Sequence, residues 1–338
     1  MTRGRRIAFT VITVTVPFVF ALVLLEAGLR GRRPAVAPQD ARELQERLRK
    51  SSREEVKVIT TGNLKGLVVP STLPDVIYEL KPDHRWIFQG GFTQTNHEGM
   101  RSPEVARTKP AGTLRVAGMG DSVMFGWGVD QNVTYLSRLE ASLAALLPGQ
   151  RIEVLNFAVP GYNSMQEAAL LEGKAQAFSP DIVLVGYVLN DWAAPFFLPN
   201  EGTGGIIEKS ELFRLLSERL GRNAEKEYAG QGHDKAMAAI ERMGKETRTR
   251  GQRAVLFVFP QPADGDTIDQ IRQTAVGAGF VYVDMYKPFA DHLKERGLKG
   301  IEDLFVKPVD PHPNPEGHEL IARVLAPVIA EALSHPTR

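Results

Sequence analysis

The sequence contains no cysteine. Disulfides and thiolate metal sites are therefore excluded, and the redox compartment is left open. No large excess of one charge is present either, since 41 basic and 40 acidic side chains give a net +1. That balance is unevenly spread. Residues 1–33 hold six arginines (Arg3, Arg5, Arg6, Arg30, Arg32 and Arg33) against Glu26 alone, a net +5, so the remaining 35 basic and 39 acidic side chains carry −4. A mildly acidic body offers no nucleic-acid surface. No Gly-x-Ser-x-Gly elbow occurs, which disfavours an α/β-hydrolase reading. No Lys-Ser or Lys-Thr follows Gly126 and Gly128, so these glycines do not build a phosphate loop. His318-Glu319 begins like a zinc-protease motif, but Ala322 stands where the second histidine is required. His84, His97, His233, His292 and His335 show no metal-ligand spacing and read as surface or packing residues. There is no internal repeat.

Uncharged runs are short, with one exception. Residues 7–25 are 19 in a row without a charge. As a helix they would reach about 28 Å, close to the hydrocarbon thickness of a bilayer. Arginines on both flanks disfavour a buried core helix. The run exceeds the apolar region of a usual signal peptide, and no convincing small-x-small cleavage site follows it. The expectation is an uncleaved membrane anchor over residues 1–33, with a cleaved signal as the alternative. Arg3, Arg5, Arg6 and the amino terminus favour the N-terminus inside and the body on the periplasmic or extracytoplasmic side. Pro17 is tolerable within a membrane helix.

The 338 residues, 43% apolar and 24% charged, are those of a globular chain with one large domain plus appendages or two modest domains. Residues 34–111 read as a linker (34–38), a charged stalk helix (40–57) and an irregular lead-in with short β-prone pieces at 58–61, 66–69, 76–80 and 86–88. From 112 the pattern is regular. Apolar runs at 114–119, 152–157, 182–189, 254–259 and 280–283 alternate with helical patterns at 134–147, 164–178, 209–250 (with breaks), 266–278, 288–295 and 316–333. Strands that are apolar throughout, between amphipathic helices, predict an α/β domain over 112–338. It would be a three-layer, doubly wound, mostly parallel five-stranded sheet. Such sheets bind ligands beyond the C-terminal ends of their strands.

Four segments fall at those ends. Gly120-Asp121-Ser122-Val123-Met124-Phe125-Gly126 follows the first strand, and Asn156-Phe157-Ala158-Val159-Pro160-Gly161-Tyr162-Asn163-Ser164 follows the second. Gly186-Tyr187-Val188-Leu189-Asn190-Asp191 closes the third, and Asp310-Pro311-His312-Pro313-Asn314-Pro315-Glu316-Gly317-His318 precedes the last helix. A serine at a strand-to-helix turn serves either as an N-cap or as a nucleophile. Together and in this order, the four segments resemble the SGNH (GDSL) hydrolase family over about two thirds of the chain, residues 114–333.

The resemblance implies a flavodoxin-like SGNH fold and an esterase or lipase that needs no metal or organic cofactor. It makes Ser122 the nucleophile and His312, the histidine before Pro-Asn, its base. Asp310 is the natural acid to fix the imidazole tautomer, and a Ser122–His312 dyad leaning on a backbone carbonyl is the alternative. The implied oxyanion donors are the backbone N–H of Ser122, the backbone N–H of Gly161 and the side-chain amide of Asn190. The sequence departs from the family pattern in three places. Asp310 and His312 are separated by one residue instead of two, Val188 stands two before Asn190 where glycine is common, and Ala158 replaces another common glycine. Asp121 reads as a residue that shapes the turn, Asp191 as a cap of its loop or of the following helix, and His318 as structural. The apolar stretch 192–198 reads equally as an acyl pocket, a lid or a packed loop.

The functional expectation is a membrane-anchored serine esterase or lipase acting on a small-molecule or glycan-borne acyl ester. One alternative keeps the same site in an envelope polysaccharide O-acetyltransferase or acetylesterase. Another is a non-catalytic glycan-binding protein on the same fold.

Overall fold

The computed structural model describes residues 21–25, 28, 57–59, 66–193 except 74, and 232–334 except 262, 264, 308 and 309. The chain divides into two units, Met1–Glu43 with Pro199–Glu227, and Leu44–Leu198 with Tyr228–Arg338. In the first, residues 21–25 and 28 are described and are helical. All that follows concerns the second. Among the described residues no helix is long and apolar enough to cross a membrane. Residues 7–20 of the apolar run, the linker 34–38, residues 40–56 of the stalk, residues 194–198 of the apolar stretch and residues 209–231 of the broken helical stretch lie outside the described residues.

The lead-in is more regular than its sequence suggests. It holds β1 (Lys57–Ile59), β2 (Val68–Pro70), β3 (Tyr78–Leu80), β4 (Arg85–Phe88) and β5 (Gly91–Gln94). β2 and β3 pair antiparallel, and β4 pairs antiparallel with β5 and parallel with β1. The β4–β5 turn places Gln89 and Gly90 at φ of 50° and 90°. Two successive positive φ values are the hallmark of the two-residue hairpin loop whose twist matches its strands.

The main sheet contains β6 (Thr113–Gly120), β7 (Arg151–Asn156), β8 (Ile182–Tyr187), β9 (Arg253–Val258) and β10 (Val281–Val283). Its order is β10-β9-β8-β6-β7 and every pair is parallel. The expected doubly wound, five-stranded, flavodoxin-like sheet is present. The chain steps from β6 to β7 on one side and then returns to place β8 on the other. The direction of winding reverses there, and sheets of this kind bind ligands at the C-terminal ends of the strands flanking that point, here β6 and β8. All six residues of β8 are buried, as central parallel strands require.

The helices are α1 (Ser122–Phe125), α2 (Tyr135–Leu146), α3 (Ser164–Gly173), α4 (232–249), α5 (Gly265–Gly277), α6 (Tyr286–Arg296) and α7 (Pro315–Ser334). The helix expected over 164–178 is interrupted at Lys174. Residues Ala175–Phe178 continue as a 3-10 turn, and Ser179 ends it at φ 52°. An antiparallel pair absent from the sequence expectation, β11 (Phe305–Lys307) and β12 (Asp310–Pro313), precedes α7.

Arg115 joins lead-in to sheet. Arg115 on β6 is fully buried and donates to Glu153 at 2.6 Å. Its remaining N–H groups reach the carbonyls of Ala106, Arg107 and Phe178. Burying a charged pair is costly, and only such thorough hydrogen bonding offsets it.

Candidate active site

The site begins where β6 stops. A side chain at Gly120 would put its Cβ 2.7 Å from Met124 Cβ, so glycine is what lets the chain fold back onto itself there. Asp121 caps the next turn by accepting the Val123 N–H at 2.9 Å. Ser122 is the first residue of α1, and Gly126, at φ 91°, ends that single turn. Ser122 thus stands on a short, capped turn at the switch point, 8% exposed.

His312 arrives from β12. Its Nε2 lies 2.7 Å from Ser122 Oγ, and its Nδ1 lies 2.5 Å from Asp310 Oδ1. The one-residue spacing is accommodated because β12 is extended, and residues i and i+2 of a strand share a face. With Asp310 ionised, Nδ1 carries the proton and Nε2 is left to accept the Ser122 hydroxyl. Burial pushes the Asp310 carboxyl up, but the hydrogen bonds from His312 and the electrostatic attraction of its ring, with help from the Trp127 N–H, leave its pKa lowered. Asn314 caps α7 directly after this strand by accepting the N–H groups of Glu316 and Gly317 at 3.0 Å each. Its own N–H donates to Leu304 at 2.7 Å, which fixes the end of the histidine strand.

The other two segments converge on the same place. The Val159 N–H donates to the Gly120 carbonyl at 3.2 Å, which draws the loop after β7 alongside the Ser122 turn. Gly161 follows at φ 79°. Tyr78 of β3 donates its hydroxyl to the Pro160 carbonyl at 2.8 Å, and Tyr162 in turn donates to the Tyr78 carbonyl. Asn190 is exposed beyond the end of β8, near enough to Asp121 to pull that carboxyl's pKa down. Asp191 shapes that loop. Its Oδ2 accepts the Val188 N–H at 3.2 Å and its carbonyl accepts the Ser164 N–H at 3.3 Å. Ser122, His312 and Asp310 form one hydrogen-bonded line, with Gly161 and Asn190 on loops tied to its serine end. Such a line can pass a proton from serine to imidazole while N–H donors receive developing negative charge.

Beneath the line the interior is acidic. Asp121, Glu167 and Asp191 are almost completely buried. Burial raises the Asp121 pKa, against the pull of the Val123 N–H, the His312 charge, Asn190 and Ser122. Glu167 and Asp191 are pushed well above the usual carboxylate range by burial and then by neighbouring carboxylates. His318 takes the structural place read from the sequence. It is fully buried, its Nδ1 accepts the Tyr135 N–H at 3.1 Å, and the two rings stack at 5.6 Å. Among the described residues no group of three or more His, Asp or Glu side chains is placed to hold a metal ion.

The sequence reading passed over three residues that hold the site. Tyr78 is one. Arg101 is another, 3% exposed and donating to the carbonyls of Phe125, Gly126 and Val129 on both sides of the turn that ends α1, and to that of Phe92 on β5. Burial lowers its pKa to about 9, with Asp130 pushing back. The third is Trp127, against His312. The only local signal for it is its place between Gly126 and Gly128.

Sheet order and site segments define the SGNH hydrolase class. The chain belongs to the GDSL-like Lipase/Acylhydrolase family, which it matches over residues 119–320, and is an ester-hydrolysing enzyme. Similar solved structures include Axe2, an acetylxylan esterase from Geobacillus stearothermophilus, at 16% identity and TM-score 0.43, covering 66% of this chain and 96% of that one. LAE5, an α/β hydrolase enzyme from the metagenome of Lake Arreo, is 18% identical with TM-score 0.44, covering 67% and 98%. A lipolytic protein of the G-D-S-L family from Desulfitobacterium hafniense is 17% identical with TM-score 0.39, covering 63% and 98%. No curated protein matches the sequence.

Proposed function

We propose that the enzyme hydrolyses an acyl ester through an acyl-enzyme on Ser122. The observation that carries this is the continuous line from Ser122 Oγ to His312 Nε2 at 2.7 Å and from His312 Nδ1 to Asp310 at 2.5 Å. His312 takes the hydroxyl proton as Oγ attacks the ester carbonyl. The tetrahedral oxyanion is received by the backbone N–H groups of Ser122 and Gly161 and by the Asn190 amide. The imidazolium, held by Asp310, then protonates the leaving alcohol. Water repeats the sequence in reverse and frees the acid. The test is labelling by a fluorophosphonate probe, expected for the native enzyme and absent from Ser122→Ala. Equal labelling of both would remove Ser122 from the mechanism. Hydrolysis and transfer to a sugar hydroxyl share the acyl-enzyme, and product analysis with and without a glycan acceptor separates them.

We also propose that the 7–25 run anchors the chain in a membrane with the catalytic unit on the extracytoplasmic side. Its 19 uncharged residues between arginine-bearing flanks support this. Fractionation with membranes, together with protease accessibility of the body after the outer barrier is opened, tests it. Recovery in the soluble fraction would refute the anchor.

A further inference from the structure

His312 is carried by a short strand and held at its two ring nitrogens. The torsion that turns an imidazole is intrinsically broad and soft, so packing against the ring face adds to what those two bonds restrain. One face of the ring is covered. Trp127 stacks on it with centroids 4.7 Å apart and planes only 13° from parallel. The indole is itself braced from behind by Phe88, fully buried on β4, edge-on at 4.6 Å and 79°. Its backbone is pinned on both sides, since Arg101 bonds the carbonyls of Phe125 and Gly126 before it and of Val129 after it. Gly126 and Gly128 take positive φ values of 91° and 73° on either side of it. A side chain at Gly128 would approach Val306 at 3.0 Å, which shows how closely the β11–β12 pair that carries His312 lies against the turn. The Trp127 N–H is buried and makes no hydrogen bond of full geometry, yet it lies near enough to Asp310 to help lower that carboxyl's pKa.

We propose that Trp127 is a positioning residue for His312. Braced by Phe88 and the Arg101-bound turn, its indole fixes the imidazole plane so that Nε2 faces Ser122 while Nδ1 faces Asp310. The inference rests on the proposed role of His312. It makes the lead-in, through Phe88 and Arg101, part of the apparatus that aligns the base. A flat ring is what the role requires, and an apolar plug of the same bulk does not supply it.

The experiment uses the full chain and three variants, Trp127→Phe, Trp127→Leu and Trp127→Ala, with p-nitrophenyl acetate as substrate. Trp127→Phe should keep kcat within about threefold. Trp127→Leu and Trp127→Ala should lose about ten- to a hundredfold in kcat with KM little changed, the pattern of misalignment. The second readout needs no turnover. It is the strongly deshielded proton NMR signal of His312 Nδ1–H, assigned by its loss in Asp310→Asn. The signal should be sharp in the native enzyme, in Ser122→Ala and in Trp127→Phe, and broadened in Trp127→Leu. Native kcat with a sharp signal in Trp127→Leu would overturn the proposal. If Trp127→Ala does not fold, the leucine and phenylalanine variants decide. If the native protein shows no esterase activity, the functional reading fails while the NMR signal still judges the stack.

Discussion

Asp310 and His312, two positions apart on one short strand, meet with Oδ1 and Nδ1 2.5 Å apart. Their contact is local in sequence, and the extended backbone of β12 puts both side chains on one face. Replacing Asp310 with asparagine keeps the shape but lets the imidazole take the wrong tautomer. The expected result for Asp310→Asn is a fall in kcat of about 10³–10⁴-fold, as in comparable triads, with KM little altered. A fall of only a few-fold, by steady-state kinetics, would favour the serine–histidine dyad.

Asn190 sits exposed beyond the end of β8, near enough to Asp121, one residue before Ser122, to help hold that carboxyl's pKa down. An Asn side chain carries two N–H donors and no charge, which suits it to receive an oxyanion. Asn190→Ala should lower kcat by about 10²–10³-fold. Asn190→Asp should do more harm than alanine, because a carboxylate would oppose the developing charge. Rates of acyl-enzyme formation in stopped flow rank the two. An aspartate variant faster than alanine would remove the donor role.

Much of this was legible in the sequence. The central strand announces itself because a strand buried on both faces must be apolar throughout, as β8 is, and the other four stand out as mainly apolar runs between helical patterns. The site segments follow because each lies at a strand end or helix start. What escaped has physical reasons. The β4–β5 hairpin turns on Gln89-Gly90 in place of the usual Asn-Gly, and its strands are four residues each. The β11–β12 pair is short and rich in proline, which normally argues against a strand. Tyr78, Arg101 and Trp127 act through contacts with distant parts of the chain. Tyr78 reaches Pro160 across 82 positions, and no local pattern encodes that pairing.

That long-range clamp has a measurable consequence. Tyr78→Phe leaves the Pro160 carbonyl without its 2.8 Å donor in a buried position. An orphaned buried acceptor costs about 1–3 kcal/mol, so the thermal midpoint should fall by several degrees. The freed loop carries Gly161, so kcat should fall more than KM rises. Calorimetry and steady-state kinetics on the same preparation test both. Full activity with a lowered midpoint would confine Tyr78 to stability.

His318 gives stability a pH dependence of known sign. Burial first, then the charges of Arg101, Arg138 and His312, lowers its pKa from 6.5 to about 3. Unfolded, this imidazole takes a proton near pH 6.5, and folded it does not until about pH 3. Its contribution is therefore complete above pH 6.5 and is lost as pH falls toward 3, at up to about 1.4 kcal/mol per pH unit. Glu167 and Asp191 work in the opposite direction. Their raised pKa values favour the fold at low pH, and that advantage is lost as pH rises through the folded values. The total curve mixes these slopes, and the difference between native enzyme and His318→Asn isolates the first. Asparagine can still accept the Tyr135 N–H but does not titrate. In urea unfolding, the native enzyme's advantage over His318→Asn should narrow steadily as pH falls below about 6.5. A difference that stays constant down to pH 4, near the usual carboxylate range, would mean that the imidazole is not held neutral in the folded protein.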